Sequence, residues 1–190
     1  VKLKAEAPAG YRFIGWRSPK NVEKEFFGKE SSWHYYDQGS MDGKNWKSSV
    51  MNSWSSGKAP LGYYTGDTNN SRGHNTKLNY GSDANNKRPT YYFRHNFTLP
   101  AAPAADDVFT FNYTVDDGMV VYVNGTEAAR YLMPNGTISY DSYASTYAND
   151  NPDKGTITLP ASLFKKGNNV IAIEVHNNNN TSSDIYLDAE

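Results

Sequence analysis

Seven aromatic residues, Trp33, Tyr35, Tyr36, Trp46, Trp54, Tyr63 and Tyr64, crowd into one stretch of the chain. Flat rings of this kind bind the apolar C–H faces of sugars, while neighbouring Asn, Asp, Arg and His satisfy the hydroxyls. Trp46 lies between Gly43-Lys44-Asn45 and Lys47-Ser48-Ser49. With wholly polar neighbours it is the ring expected to face solvent. Its replacement by alanine is expected to abolish glycan binding and leave the thermal midpoint nearly unchanged. Tyr63-Tyr64, between Gly62 and Thr65-Gly66, comes next. Trp33 and Trp54 sit in semi-regular stretches and suit core packing equally well. Tyr131, Tyr140, Tyr143 and Tyr147 surround a second long connection and are placed to form the other wall of a cleft.

A second constellation is Asp116-Asp117-Gly118. Two adjacent carboxylates are hard oxygen donors of the kind calcium takes, and His176, Asn177, Asn178 and Asp184 are candidates for the same end of the fold. This makes Asp116 and Asp117 the candidate metal ligands, and Asp116, Asp117, His176 and Asn177 candidate ligand-binding residues beside the aromatics. Asp-Gly is also ordinary turn chemistry, because Asp bonds its own backbone. Asp37–Asp42 and Asp141–Asp153 are equally rich in oxygen.

Signatures of catalysis are missing. The chain has no His-Glu-x-x-His, no Gly-x-Ser-x-Gly and no phosphate-cradling glycine loop, and histidines 34, 74, 95 and 176 form no metal-ligand spacing. A glycosidase needs two opposed carboxylates, and nothing selects a pair here. The net charge of −1 excludes the basic field that nucleic acid or anionic membranes attract. Without cysteine there is no disulfide frame, thiolate zinc site or Cys nucleophile. No apolar run approaches the roughly 20 residues of a membrane helix. The opening VKLKAEAPAGYRFIGW has no signal-peptide character, which suggests a piece of a longer secreted protein.

The elements that must position these residues read as strands. Tyr91, Phe93, His95, Phe97 and Leu99 alternate with Tyr92, Arg94, Asn96 and Thr98, which predicts a strand with one buried face. Phe109–Val115 repeats the pattern. Asp116-Asp117-Gly118 then turns into Met119–Val123, and Asn124-Gly125 predicts a two-residue type I′ hairpin. Further strands are expected over Thr156–Leu159, Asn169–Val175 and Asp184–Leu187. Pro160–Gly167 is the one short helical candidate, with Pro in front and Gly behind. Residues 1–16 read as strand, turn and strand, with the bend at Pro8 and Gly10. Ser31–Asn86, rich in Gly, Ser and Asn, is expected to be mostly loop laid over the sheets.

The segments YYFRHNFTLP, FNYTVDDGMVVYVNGTEAAR and ITLPASLFKKGNNVIAIEVHNNNNTSSDIYLD resemble the galactose-binding-like β-sandwich. This jelly roll is shared by many carbohydrate-binding modules and by sugar-binding domains of β-galactosidases. The resemblance covers Thr90–Asp188. Ser31–Gly62 looks like the region preceding such sandwiches in surface proteins and polysaccharide-degrading enzymes of gut and rumen Bacteroidetes. Locally, VDDGMVVYVNG resembles a hairpin of the anthrax protective-antigen-like sugar-binding domain of yeast adhesins, where paired aspartates hold calcium and the calcium holds the sugar. For this chain that implies calcium, structural or ligand-bridging, at Asp116 and Asp117.

The expected architecture is all-β: one antiparallel sandwich over 17–190, with 1–16 either part of it or a remnant of a preceding domain. The expected function is a noncatalytic, monomeric module of a secreted or surface-attached bacterial protein. It would tether an attached enzyme to polysaccharide, hemicellulose or β-glucan foremost. The alternative is a structural or protein-binding, adhesive sandwich. A module needs a solvent-facing ring pair in a groove, and a spacer needs none.

Overall fold

A computed structural model describes residues 4–13, 23–49, 53–66, 69–149 and 152–190. The strands are β1 (Ser32–Tyr36), β2 (Ser55–Lys58), β3 (Leu61–Tyr64), β4 (Thr76–Lys77), β5 (Thr90–Leu99), β6 (Phe109–Asp116), β7 (Gly118–Val123), β8 (Thr126–Tyr131), β9 (Asp153–Leu159), β10 (Gly167–His176) and β11 (Asp184–Ala189). They form a six-stranded sheet, β2-β1-β5-β10-β7-β8, and a five-stranded sheet, β4-β3-β11-β6-β9. Every pairing is antiparallel except β3 with β4. The expected helix is a single 3-10 turn, Ala161–Leu163. The chain is an all-β sandwich, and no helix among the described residues is long and apolar enough to cross a membrane.

Alternation builds the main core. Tyr91, Phe93, Phe97 and Leu99 from β5 meet Ile171, Ile173 and Val175 from β10 and Met119, Val121 and Val123 from β7. Across the interior lie Phe111 and Val115 from β6, Ile185 and Leu187 from β11, and Leu61 and Tyr63 from β3. Val123↔Thr126 pairing closes the expected two-residue hairpin, with φ of 51° at Asn124 and 93° at Gly125, as a type I′ turn requires.

Three expectations change. Ser31–Asn86 supplies four strands rather than mostly loop, and β1 is an interior strand between β2 and β5. Its sequence, Ser-Trp-His-Tyr-Tyr, is too short for a visible period, so pairing with β5 and the burial of Trp33 decide its state. Residues 4–13 hold the predicted bend, with Tyr11 N–H donating to Pro8 O, but form no strand; Ile14 and Trp16 lie outside the described residues.

The third change concerns the outer face of the six-stranded sheet. The expected half-buried β5 is buried on both faces along its first half, Tyr92 and Arg94 included. A second apolar cluster lies over this outer face: Met41 and Trp46 pack on Tyr92, Val120, Tyr122 and Ala172. Trp46, expected exposed, is 3% exposed. Its ring lies edge-on to Tyr92 at 4.8 Å and to Tyr122 at 5.7 Å, and parallel to Trp54 at 6.2 Å. Its polar sequence neighbours misled because the indole is the anchor that holds a polar flap, 37–49, against the sheet. Asp42 ties this flap to the neighbouring loop by accepting from Tyr140 N–H. Trp46→Ala is therefore expected to cost about 3–5 kcal/mol, the usual range for deleting a buried large ring. In a thermal melt this appears as a clear fall in midpoint, opposite to the behaviour of an exposed binding ring.

Candidate functional site

The structure brings six of the sequence-selected residues together at one end of the sandwich: Tyr63, Tyr64, Asp116, Asp117, His176 and Asn177. All but Tyr64 are buried. Asn177 donates from Nδ2 to Tyr63 Oη at 3.1 Å and to Arg88 O at 2.8 Å. Burial pushes the Tyr63 phenol up to about 12. His176 Nδ1 lies 2.8 Å from the carbonyl of Ser142, which can only accept, so Nδ1 carries the proton. Nε2 faces Glu174 at 3.6 Å, and Glu174 accepts from Tyr122 Oη.

Asp117 has both oxygens taken. Oδ1 accepts from Ala148 N–H at 2.9 Å and Oδ2 from Asn178 N–H at 2.8 Å. The main chain of Asn177 receives Ala144 N–H and donates to Pro89 O. These residues therefore act as anchors for the 131–149 connection. Gly118 completes the seat, since a Cβ there would stand 2.7 Å from Met133 Sδ and 2.8 Å from Ala144 Cβ.

Asp116 joins β6 in one sheet to β7 in the other through a cis peptide to Asp117. Its carboxyl is 2% exposed and is raised from 3.8 to about 9, first by burial and then by Asp117 and Asp184. Arg72, which lies over the Tyr64 ring, opposes this rise. Its Nη2 stands 2.9 Å from Asp184 Oδ2 and its Nη1 3.9 Å from Asp116 Oδ2. Among the described residues no three His, Asp or Glu side chains are grouped to hold a metal ion. As folded, Asp117 accepts a backbone N–H on each oxygen, and Arg72 stands between Asp116 and Asp184 as the nearby cation.

The remaining aromatics lie elsewhere. Trp33 is fully buried in the main core with Tyr35 packed against it, and half-buried Trp54 flanks Trp46. The expected aromatic platform is thus divided among two cores. Tyr143 and Tyr147, 38% and 63% exposed, are the solvent-facing rings of the 131–149 connection.

A different site emerges on the outer face of the six-stranded sheet, beyond the edge of the flap. A groove of about 380 Å³ runs over Arg94, Asn96 and Thr98 of β5 and Asn168 and Val170 of β10, walled by Ser48, Asn124 and Lys165. Asn169, buried behind it, accepts from Lys165 N–H and donates to Lys165 O and Gly167 O, while Asn124 Nδ2 donates to Asn169 Oδ1. This web fixes the wall. Asn168 Oδ1 accepts from Thr98 Oγ1, leaving its amide N–H groups to solvent. Arg94 is 3% exposed, yet its Nε and Nη2 find no acceptor. Sequence reasoning passed over Arg94; the available signal was a cation in mid-strand, in phase with Tyr92, Asn96 and Thr98.

No family profile and no curated protein matches the sequence. Solved structures that it resembles include a β-glucuronidase from Ruminococcus gnavus in complex with C6-substituted uronic isofagomine (11% identity, TM-score 0.46, 83% of this chain and 23% of that one). Others are an uncultured Clostridium sp. β-glucuronidase (13%, 0.45, 84% and 24%) and a calcium binding mutant of Bacteroides uniformis β-glucuronidase 2 (14%, 0.49, 87% and 18%). The chain spans about a quarter or less of the length of these enzymes.

The raised Asp116 carboxyl has a consequence for stability. Between about pH 4 and pH 9 the folded chain keeps a proton that the unfolded chain releases, so stability falls as pH rises through that window. Asp116→Asn, neutral throughout, is expected to flatten the decline of the thermal midpoint between pH 5 and pH 9 by at least ~1 kcal/mol, roughly 2–4 °C for a domain of this size. Parallel pH profiles of the two proteins would remove Asp116 as the cause.

Proposed function

We propose that this sandwich is a noncatalytic carbohydrate-binding domain of a longer exported protein, and that its ligand lies in the groove over β5 and β10. The observation that carries the reading is the groove's lining. Amides, hydroxyls and cations face it, with apolar relief from Val170. Asn96 and the free N–H groups of Asn168 suit the donor and acceptor hydroxyls of a sugar, and about 380 Å³ falls within the range of small-ligand sites. Among the described residues no carboxylate lines the groove, so the opposed pair that glycoside hydrolysis requires is not part of this reading. Tethering by such a domain raises the local concentration of an attached catalytic domain on its polymer. Calcium is dispensable in this reading, because Arg72 supplies the counter-charge at the aspartate cluster.

One observation favours the structural or adhesive reading: Trp33, Trp46 and Tyr63 are buried, as a spacer would have them. Affinity electrophoresis through gels containing soluble neutral and acidic polysaccharides, with calcium and with chelator, separates the two. Retardation is expected on at least one gel and is expected to survive chelator. Asn96→Ala is expected to weaken it about tenfold, the equivalent of one lost hydrogen bond of ~1.4 kcal/mol, at an unchanged thermal midpoint. Wild-type mobility equal to that in a blank gel on every polymer would establish the spacer reading.

A further inference from the structure

Resting on the carbohydrate reading, we infer that the groove selects an acidic saccharide, with the carboxylate of a uronic acid residue seated on Arg94 and Lys165 beside it. A guanidinium cannot shed its proton, so a buried one requires acceptors. The two Arg94 nitrogens without acceptors, Nε and Nη2, are the adjacent pair that forms the planar fork for a carboxylate. This protein uses that same edge elsewhere: Arg130 donates from Nε to Glu127 Oε1 and from Nη2 to Glu127 Oε2, at 2.9 Å for the second. Arg94 has no such partner. Its pairing neighbours across the sheet are His34 on β1 and Ala172 on β10. The buried carboxylate further along β10, Glu174, is held by Tyr122.

Burial alone lowers the Arg94 pKa, with no carboxylate acting to raise it. Arg94 lines the groove, where Lys165 adds an exposed cation. The fork itself lies just beneath the surface, so seating the ligand requires the tip of Arg94 to turn toward the groove. A planar carboxylate matches the fork on two parallel N–H···O bonds, which an alcohol or a methyl ester cannot reproduce.

The test compares trigalacturonate with its fully methyl-esterified form by calorimetric titration of the full chain, which holds the sugar backbone constant and removes only the charge. The acid is expected to bind at least about tenfold tighter than the ester, as one charge-assisted pair provides. Arg94→Gln is expected to bring the ratio near one while leaving ester affinity in place. Arg94→Met, which replaces an unpaired buried cation by an apolar side chain of similar length, is expected to raise the thermal midpoint while losing the preference. A lowered midpoint would mark Arg94 as structural and overturn the proposal. The Arg94 Nε–H resonance of the wild-type protein gives a readout independent of any variant: it is expected to shift on titration with trigalacturonate and to stay in place with the ester and with inorganic sulfate.

Equal binding of acid and ester would overturn the carboxylate preference and leave the carbohydrate reading standing. Equal shifts with sulfate and trigalacturonate would reduce the site to a general anion hole. Binding of neither saccharide would remove both.

Discussion

Burial of the larger sheet on both faces is the constraint from which the rest of the structure follows. Strands β5, β10 and β7 send alternate side chains to opposite sides. Ile171, Ile173 and Val175 go to the main core, while Ala172, Glu174 and His176 on the other side are buried just as deeply. An outer face carrying Tyr92, Val120 and Tyr122 is too apolar to leave in water, so two non-strand segments have to cover it. The flap 37–49 does so with Trp46, and the 131–149 connection with Met133, Ile138 and Tyr140. Where that cover stops, the polar residues of the same strands come to the surface, and the groove begins.

Holding irregular segments against a sheet requires hydrogen bonds that the sheet cannot supply, and buried polar residues provide them. Asp117, His176 and Asn177 reach the backbone of the 131–149 connection, Tyr92 receives the Met41 N–H of the flap, and Asn169 clamps the turn before β10. These bonds go largely to main-chain groups, the commonest partners of buried side chains. Arg94 has two buried donor nitrogens that find no such group.

Sequence patterning identified the second half of the fold well because its strands are long and flanked by clear stops. β5, β6, β7, β10 and β11 appeared at the predicted places, and Asn124-Gly125 made the predicted turn. The first half was less legible: β2 and β4 have four and two residues and little apolar content, so their partners determine them. The site was harder still. Trp46 looks exposed from its neighbours in sequence, yet what decides its environment is Tyr92 and Tyr122, far away along the chain. Asp116, Asp117, His176 and Asn177 were recognised as belonging together, but the backbone amides and the guanidinium that occupy them come from Asn178, Ala148 and Arg72. No local pattern records such encounters.

The unequal rims of the five-stranded sheet bear on how the protein behaves when crowded. One rim, β4, is two residues long and pairs in parallel with β3, so it offers almost no open backbone for another chain to extend. The opposite rim, β9, runs for seven residues beside β6, with Lys154, Thr156 and Thr158 exposed and Pro160 directly after it. A lysine on an edge strand and a proline at its end are ordinary defences against strand-to-strand accretion. Colloidal stability on this side therefore depends on the charge of Lys154, and conditions that neutralise it would expose the longer rim to self-pairing.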